Sequence, residues 1–129
     1  MKLILSVLVL FSTFSAFASW NEVECEGKID QKIVRVEVEQ PFPNGSYFKR
    51  ASLTITENGA ENSFNYTVTS RMTRGFNQIR YTAGGLDLEV DFWPDQVPRW
   101  GRTYKGSLRS SELNNQYIRG LTCRFPNAN

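Results

Sequence analysis

Leu86, Leu88, Val90 and Phe92 alternate with Asp87, Glu89 and Asp91. A side-chain period of two belongs to a strand with one dry face and one wet face. This pattern limits the chain more than any other feature, because it recurs. Val34, Val36 and Val38 alternate with Arg35, Glu37 and Glu39. Ala51, Leu53 and Ile55 form another apolar set, as do Phe64, Tyr66 and Val68, and Ile79, Tyr81 and Ala83. No long segment carries the helical period.

Turn residues separate these runs. Pro41-Phe42-Pro43-Asn44-Gly45 cannot continue a central strand. Asn58-Gly59 is the strongest short hairpin signal, and Thr73-Arg74-Gly75 and Gly84-Gly85 turn the chain again. The pattern predicts eight strands, over residues 20–26, 29–40, 47–56, 62–72, 76–83, 86–92, 102–109 and 117–125. Gly27 is expected to end the first. Residues 110–115 have room for one short helical turn. Even strands with short turns imply an all-β fold, an antiparallel up-and-down barrel of about eight strands. A two-sheet β-sandwich is the alternative, since strand number alone does not separate the two.

Residues 1–18 read as a signal peptide. Lys2 gives a positive start, Leu3 to Phe17 is almost wholly apolar, and Ala16-Phe17-Ala18 has small residues where a signal peptidase cuts. The apolar run is short for a bilayer span, which needs about 20 residues. Trp20, Asn21 and Glu22 follow it, not a basic flank. Cleavage after Ala18 leaves a single domain, residues 19–129, in the periplasm or outside the cell. No cysteine at the cut supports a lipid anchor, and no segment of the mature chain is expected to span a membrane.

Removing 18 of the 129 residues leaves 111, enough for one modest core. The only two cysteines, Cys25 and Cys123, lie near its ends. In an oxidising compartment such a pair forms a disulfide. The bridge would tie the first strand to the last and close the barrel.

The mature chain balances 14 basic against 13 acidic residues, so no overall field draws nucleic acid. Its distribution is uneven. Residues 19–61 hold eight acidic and five basic side chains, and residues 62–129 hold five and nine. The absence of histidine removes Ser-His and Cys-His nucleophile pairs and histidine metal sites. A glycine-rich phosphate loop is also missing. The Asp87, Glu89 and Asp91 stripe could supply a carboxylate pair or meet a calcium ion, but it lies on the expected outer face. No enzyme activity, cofactor or metal is therefore expected.

Residues 93–102 are the better candidate. They include Trp93, Pro94, Pro98, Arg99, Trp100 and Arg102. Prolines restrict a loop before it docks, and Trp and Arg predominate among interface hot spots. Trp93, Arg99, Trp100 and Arg102 are thus the expected binding residues. The competing role for the tryptophans is to plug the barrel end, with the arginines stacked on them.

A leader, a small antiparallel barrel and cysteines near its two ends make a layout similar to that of periplasmic inhibitors of C-type lysozyme. Tyr104-Lys105-Gly106 resembles a lysine-glycine motif of that family. The likeness covers three residues, and the Ser-Gly and Trp-x-Thr elements expected before it are absent, so no site residue is carried over. The expected function is a secreted or periplasmic binding module acting through a surface loop, an inhibitor of a secreted or envelope enzyme being one form. The alternative is a calycin-like carrier of a small apolar ligand. The expected partner is a protein or small ligand outside the cytoplasm.

Overall fold

The computed structural model describes residues 19–41, 48–73 and 77–128. The leader assignment lies outside the described residues. The strands are β1 (Ser19–Ile29), β2 (Lys32–Pro41), β3 (Phe48–Glu57), β4 (Ala60–Thr73), β5 (Gln78–Ala83), β6 (Leu86–Asp91), β7 (Thr103–Ser110) and β8 (Tyr117–Arg124). Each pairs antiparallel with the next, and β8 pairs with β1, so the sheet is a closed barrel in sequence order and not a sandwich. A 3-10 turn, Ser111–Leu113, occupies the expected place before β8.

The period-two sets point inward. Val34, Val36, Val38, Leu53, Leu88, Val90 and Tyr81 are wholly buried, and they fill the barrel. The outer positions between them carry charges held by cross-strand partners. Asp87 accepts two hydrogen bonds from Arg80 and lies 3.9 Å from Arg109. That hydrogen bond raises the Arg80 pKa further. Charged walls around an apolar interior are the reverse of a membrane-spanning barrel, whose apolar band faces out.

Closure is the narrowest part of the sheet. Three residue pairs join β1 to β8, namely Glu24 with Arg124, Cys25 with Cys123, and Glu26 with Thr122. The central pair is the disulfide, which points into the core. Gly106 on β7 makes room for it, since a Cβ there would sit 2.5 Å from Cys123 Sγ. Arg124 adds an ion pair to Glu24 at 3.2 Å.

Gly27 does not end β1. The strand runs on to Ile29 with Gly27 inward, where a Cβ would collide with the Leu121 side chain. A second departure lies at the other end of β1. The register shifts between Asn21 and Val23. Such a bulge re-aims a side chain, and Glu22 turns into the barrel mouth. There it accepts from Lys49 Nζ at 2.6 Å and from the Tyr81 hydroxyl at 2.5 Å.

Burial, then the Glu22 charge and hydrogen bond, push the Tyr81 pKa well above its ordinary 10.0. The unfolded tyrosine ionises near 10, while the folded one holds its proton to higher pH. Its contribution to stability is therefore complete below pH 10 and is lost as pH climbs toward the folded value. Thermal melts followed by circular dichroism should fall more steeply above about pH 10 in the wild type than in Tyr81→Phe.

Candidate functional site

The two barrel ends differ. At one end β1–β2, β3–β4 and β5–β6 are joined by two-residue turns, at Asp30-Gln31, Asn58-Gly59 and Gly84-Gly85. The β7–β8 connection, residues 111–116 with the 3-10 turn, is at this end too, and the other end carries the β2–β3, β4–β5 and β6–β7 connections. Segments 42–47 and 74–76 lie outside the described residues. The β6–β7 loop, residues 92–102, is described in full.

That loop is anchored from below. Phe92 is buried and meets Tyr104 edge-on at 6.3 Å, and Tyr104 meets Phe125 edge-on at 5.9 Å. These three rings close the barrel mouth under the loop. The backbone N–H of Phe92 donates to Asn77 O at 2.8 Å, and that of Asp95 donates to Phe92 O at 2.8 Å. Asp91 Oδ1 accepts from the N–H of Trp93 at 3.0 Å, ahead of a cis Trp93–Pro94 peptide.

Asp95 is the hub. Its side chain is only 8 % exposed. It accepts from the Tyr104 hydroxyl at 2.8 Å and from Arg102 Nη1 at 3.1 and 3.2 Å, with Arg99 Nε at 3.9 Å. The Tyr104 oxygen in turn accepts from the Arg99 backbone N–H at 2.9 Å. Burial first, and then the Asp95 hydrogen bond, raise the Tyr104 pKa. The hydroxyl therefore stays protonated as a donor, and the loop is pinned at both ends and in its middle.

The tryptophans do not plug the barrel. Trp93 is 72 % exposed and Trp100 is 70 % exposed. Phe92, Tyr104 and Phe125 occupy the mouth beneath the loop in their place. Nor do the arginines stack on them: Arg99 and Arg102 turn to Asp95 while keeping much of their surface in solvent. All four expected residues thus lie on one loop, with the two indoles outward.

Sequence reasoning missed their neighbours. Among the described residues seven large apolar side chains are exposed. Five of them lie at this end: Trp93, Val97, Trp100, Phe48 at the start of β3 and Met72 near the end of β4. Phe48 and Met72 sit in strand segments whose ends periodicity does not mark. Asp95 and Tyr104 were also missed as supports.

The hollows in the surface are secondary. One of about 350 Å³ lies beside the loop, between Met72, Ile79, Val97, Pro98 and Phe125, with Glu22 on its wall. Another, of about 620 Å³, covers the β1–β8 seam, where Arg35 faces Glu26 and Arg124 faces Glu24. Glu37 adds a third carboxylate to its wall, across from Glu24 in the ladder. Of the outer carboxylates of β6, Asp87 is held by Arg80 and Arg109. Among the described residues no three His, Cys, Asp or Glu side chains gather as a metal site would need.

No known protein family, no curated protein and no solved structure matches the chain.

Proposed function

We propose that the chain is an exported binding module that acts through the long-loop end of the barrel. The observation that carries this reading is the pair of exposed indoles on a loop fixed from within by Asp95 and Tyr104. Exposing two tryptophans costs solvation free energy that a purely structural loop would avoid by using polar residues. A rigid loop loses little freedom on docking, and Trp with Arg are the side chains that contribute most at interfaces. The disulfide suits an oxidising compartment. Occlusion of a secreted or envelope enzyme is one task such a surface supports. A carrier reading has less in its favour, because the interior is filled by side chains.

The test compares three tagged, oxidised proteins incubated with the envelope fraction of the organism that makes the chain. Trp93→Ala/Trp100→Ala should lose at least about 90 % of what the wild type retains, a drop of more than 1.4 kcal/mol in binding. A control at the opposite end, Ile33→Ser/Tyr117→Ser, should retain it. Equal retention by the double tryptophan variant, with an unchanged melting curve, would remove the reading.

A further inference from the structure

Resting on that reading, the structure assigns a partner class to the long-loop end: we infer that it docks on an anionic lipid surface. The first ground is the layout of the apolar groups. Phe48, Met72 and the trio Trp93, Val97 and Trp100 come from β3, β4 and the β6–β7 loop, so they are spaced around one rim of the barrel. A protein hot spot gathers its anchors at the centre of a compact patch. Anchors spread around a barrel end fit a continuous plane. Tryptophan is the residue that prefers the bilayer interface, with its ring in the apolar boundary and its N–H at the headgroups.

The second ground is charge. The exposed charged side chains of the β6–β7 loop are Arg99 and Arg102, and its one acid, Asp95, is buried beneath them. Around the same end stand Arg50, Arg71 and Lys105. Glu39 lies across from Arg50 and Asp91 across from Lys105 in the ladders, which offsets those two cations. Arg71 faces Arg80, whose own charge is taken by Asp87. Asp95 takes up the charge of Arg102, and Glu89 lies across from Arg80, so the surplus among the described residues of this end is modestly positive, with Arg71 and Arg99 the cations least tied to an acid. Basic groups beside interfacial aromatics are the combination that holds a protein to anionic headgroups.

The third ground is what the rest of the barrel forbids. Its walls carry arginine–carboxylate pairs and hydroxyl and amide side chains, so it cannot enter hydrocarbon. The opposite end has three two-residue turns and the 3-10 connection, with Ile33 and Tyr117 as its exposed large apolar side chains among the described residues. The molecule would stand on the surface by one end only.

The test uses the oxidised mature chain and large vesicles of phosphatidylglycerol and phosphatidylcholine in equal parts, against vesicles of phosphatidylcholine alone. Sedimentation at low ionic strength should show binding roughly tenfold or more tighter to the anionic vesicles, weakening as salt is added. Trp93→Ala/Trp100→Ala should reduce it by about tenfold or more on the same scale. So should Arg71→Gln/Arg99→Gln, which leaves Arg102 on Asp95 and the loop intact. Brominated lipid should quench the wild-type emission but not that of the double tryptophan variant, whose remaining Trp20 is partly buried. No binding to anionic vesicles, or equal binding by the tryptophan variant, overturns the lipid assignment. If the wild type ignores both vesicles yet still captures an envelope protein through Trp93 and Trp100, the partner is a protein and the binding-module reading stands.

Discussion

Replacing Cys25 and Cys123 by alanine is expected to lower the unfolding free energy by about 4–5 kcal/mol, the chain-entropy value for a loop of this size. The two residues are 98 apart, so the bridge constrains nearly the whole domain in the unfolded state. The native state adds a local reason. β1 and β8 share only three residue pairs, and the disulfide is the middle one. Without it the closure depends on a few backbone hydrogen bonds and the exposed Arg124–Glu24 pair, which is screened by water. Urea unfolding of the variant and the wild type gives the difference, and hydrogen exchange should rise first at Glu24, Glu26 and Thr122. A loss below about 1 kcal/mol would mean that the seam holds without the bridge.

Gly106 supplies an independent arm of the same experiment. Gly106→Ala in the oxidised protein forces a methyl against Cys123 Sγ and toward the Glu89 carbonyl. Overpacking of that kind costs about 1–3 kcal/mol. In the Cys25→Ala/Cys123→Ala background the sulfur is gone and most of the cost should vanish. The coupling between the two changes is then the signature of the contact. Additive effects would show that Gly106 serves some other end.

Much of this barrel was legible because its strands keep strict alternation. Val34, Val36 and Val38, and Leu86, Leu88 and Val90, announce their inward face by period alone. Asn58-Gly59 and Gly84-Gly85 mark hairpins through backbone chemistry that few other residues match. Two cysteines at the ends of a chain of strands announced the closure. What escaped is what alternation does not encode. Counting by two puts Glu22 on the wet face with Glu24 and Glu26, and only the bulge turns it toward Tyr81 and Lys49. Gly27 read as a stop because nothing local shows Leu121 packed against it. The indoles of Trp93 and Trp100 left their place undecided. The mouth below them is filled by Phe92, Tyr104 and Phe125, which three separate segments bring together. Asp95 needed Tyr104, nine positions on and in the next strand, before its role could be seen.

Asp95→Ala is expected to impair binding as severely as loss of both tryptophans, although Asp95 itself is buried. The Tyr104 hydroxyl would lose its charged acceptor inside the barrel mouth. A hydrogen bond to a charged group contributes about 1.5–3 kcal/mol. The Arg102 contact adds less, since its guanidinium is half exposed and screened. A total loss of about 2–3 kcal/mol in stability follows. The rigidity of the loop suffers more. With the hub removed, the Arg99 and Arg102 side chains are freed, and the indoles are held by the Phe92 anchor, the prolines and the lone backbone contacts of Trp93 with Asp91 and of Arg99 with Tyr104. Ordering them again on docking then costs free energy that the native loop has met in folding. Tyr104→Phe should have a smaller effect of the same sign, because it leaves Arg102 on Asp95. Capture by the envelope fraction, read beside backbone order parameters for residues 93–101, separates the two contributions. If Asp95→Ala loosens the loop and binding is unchanged, the recognition surface lies elsewhere on the barrel.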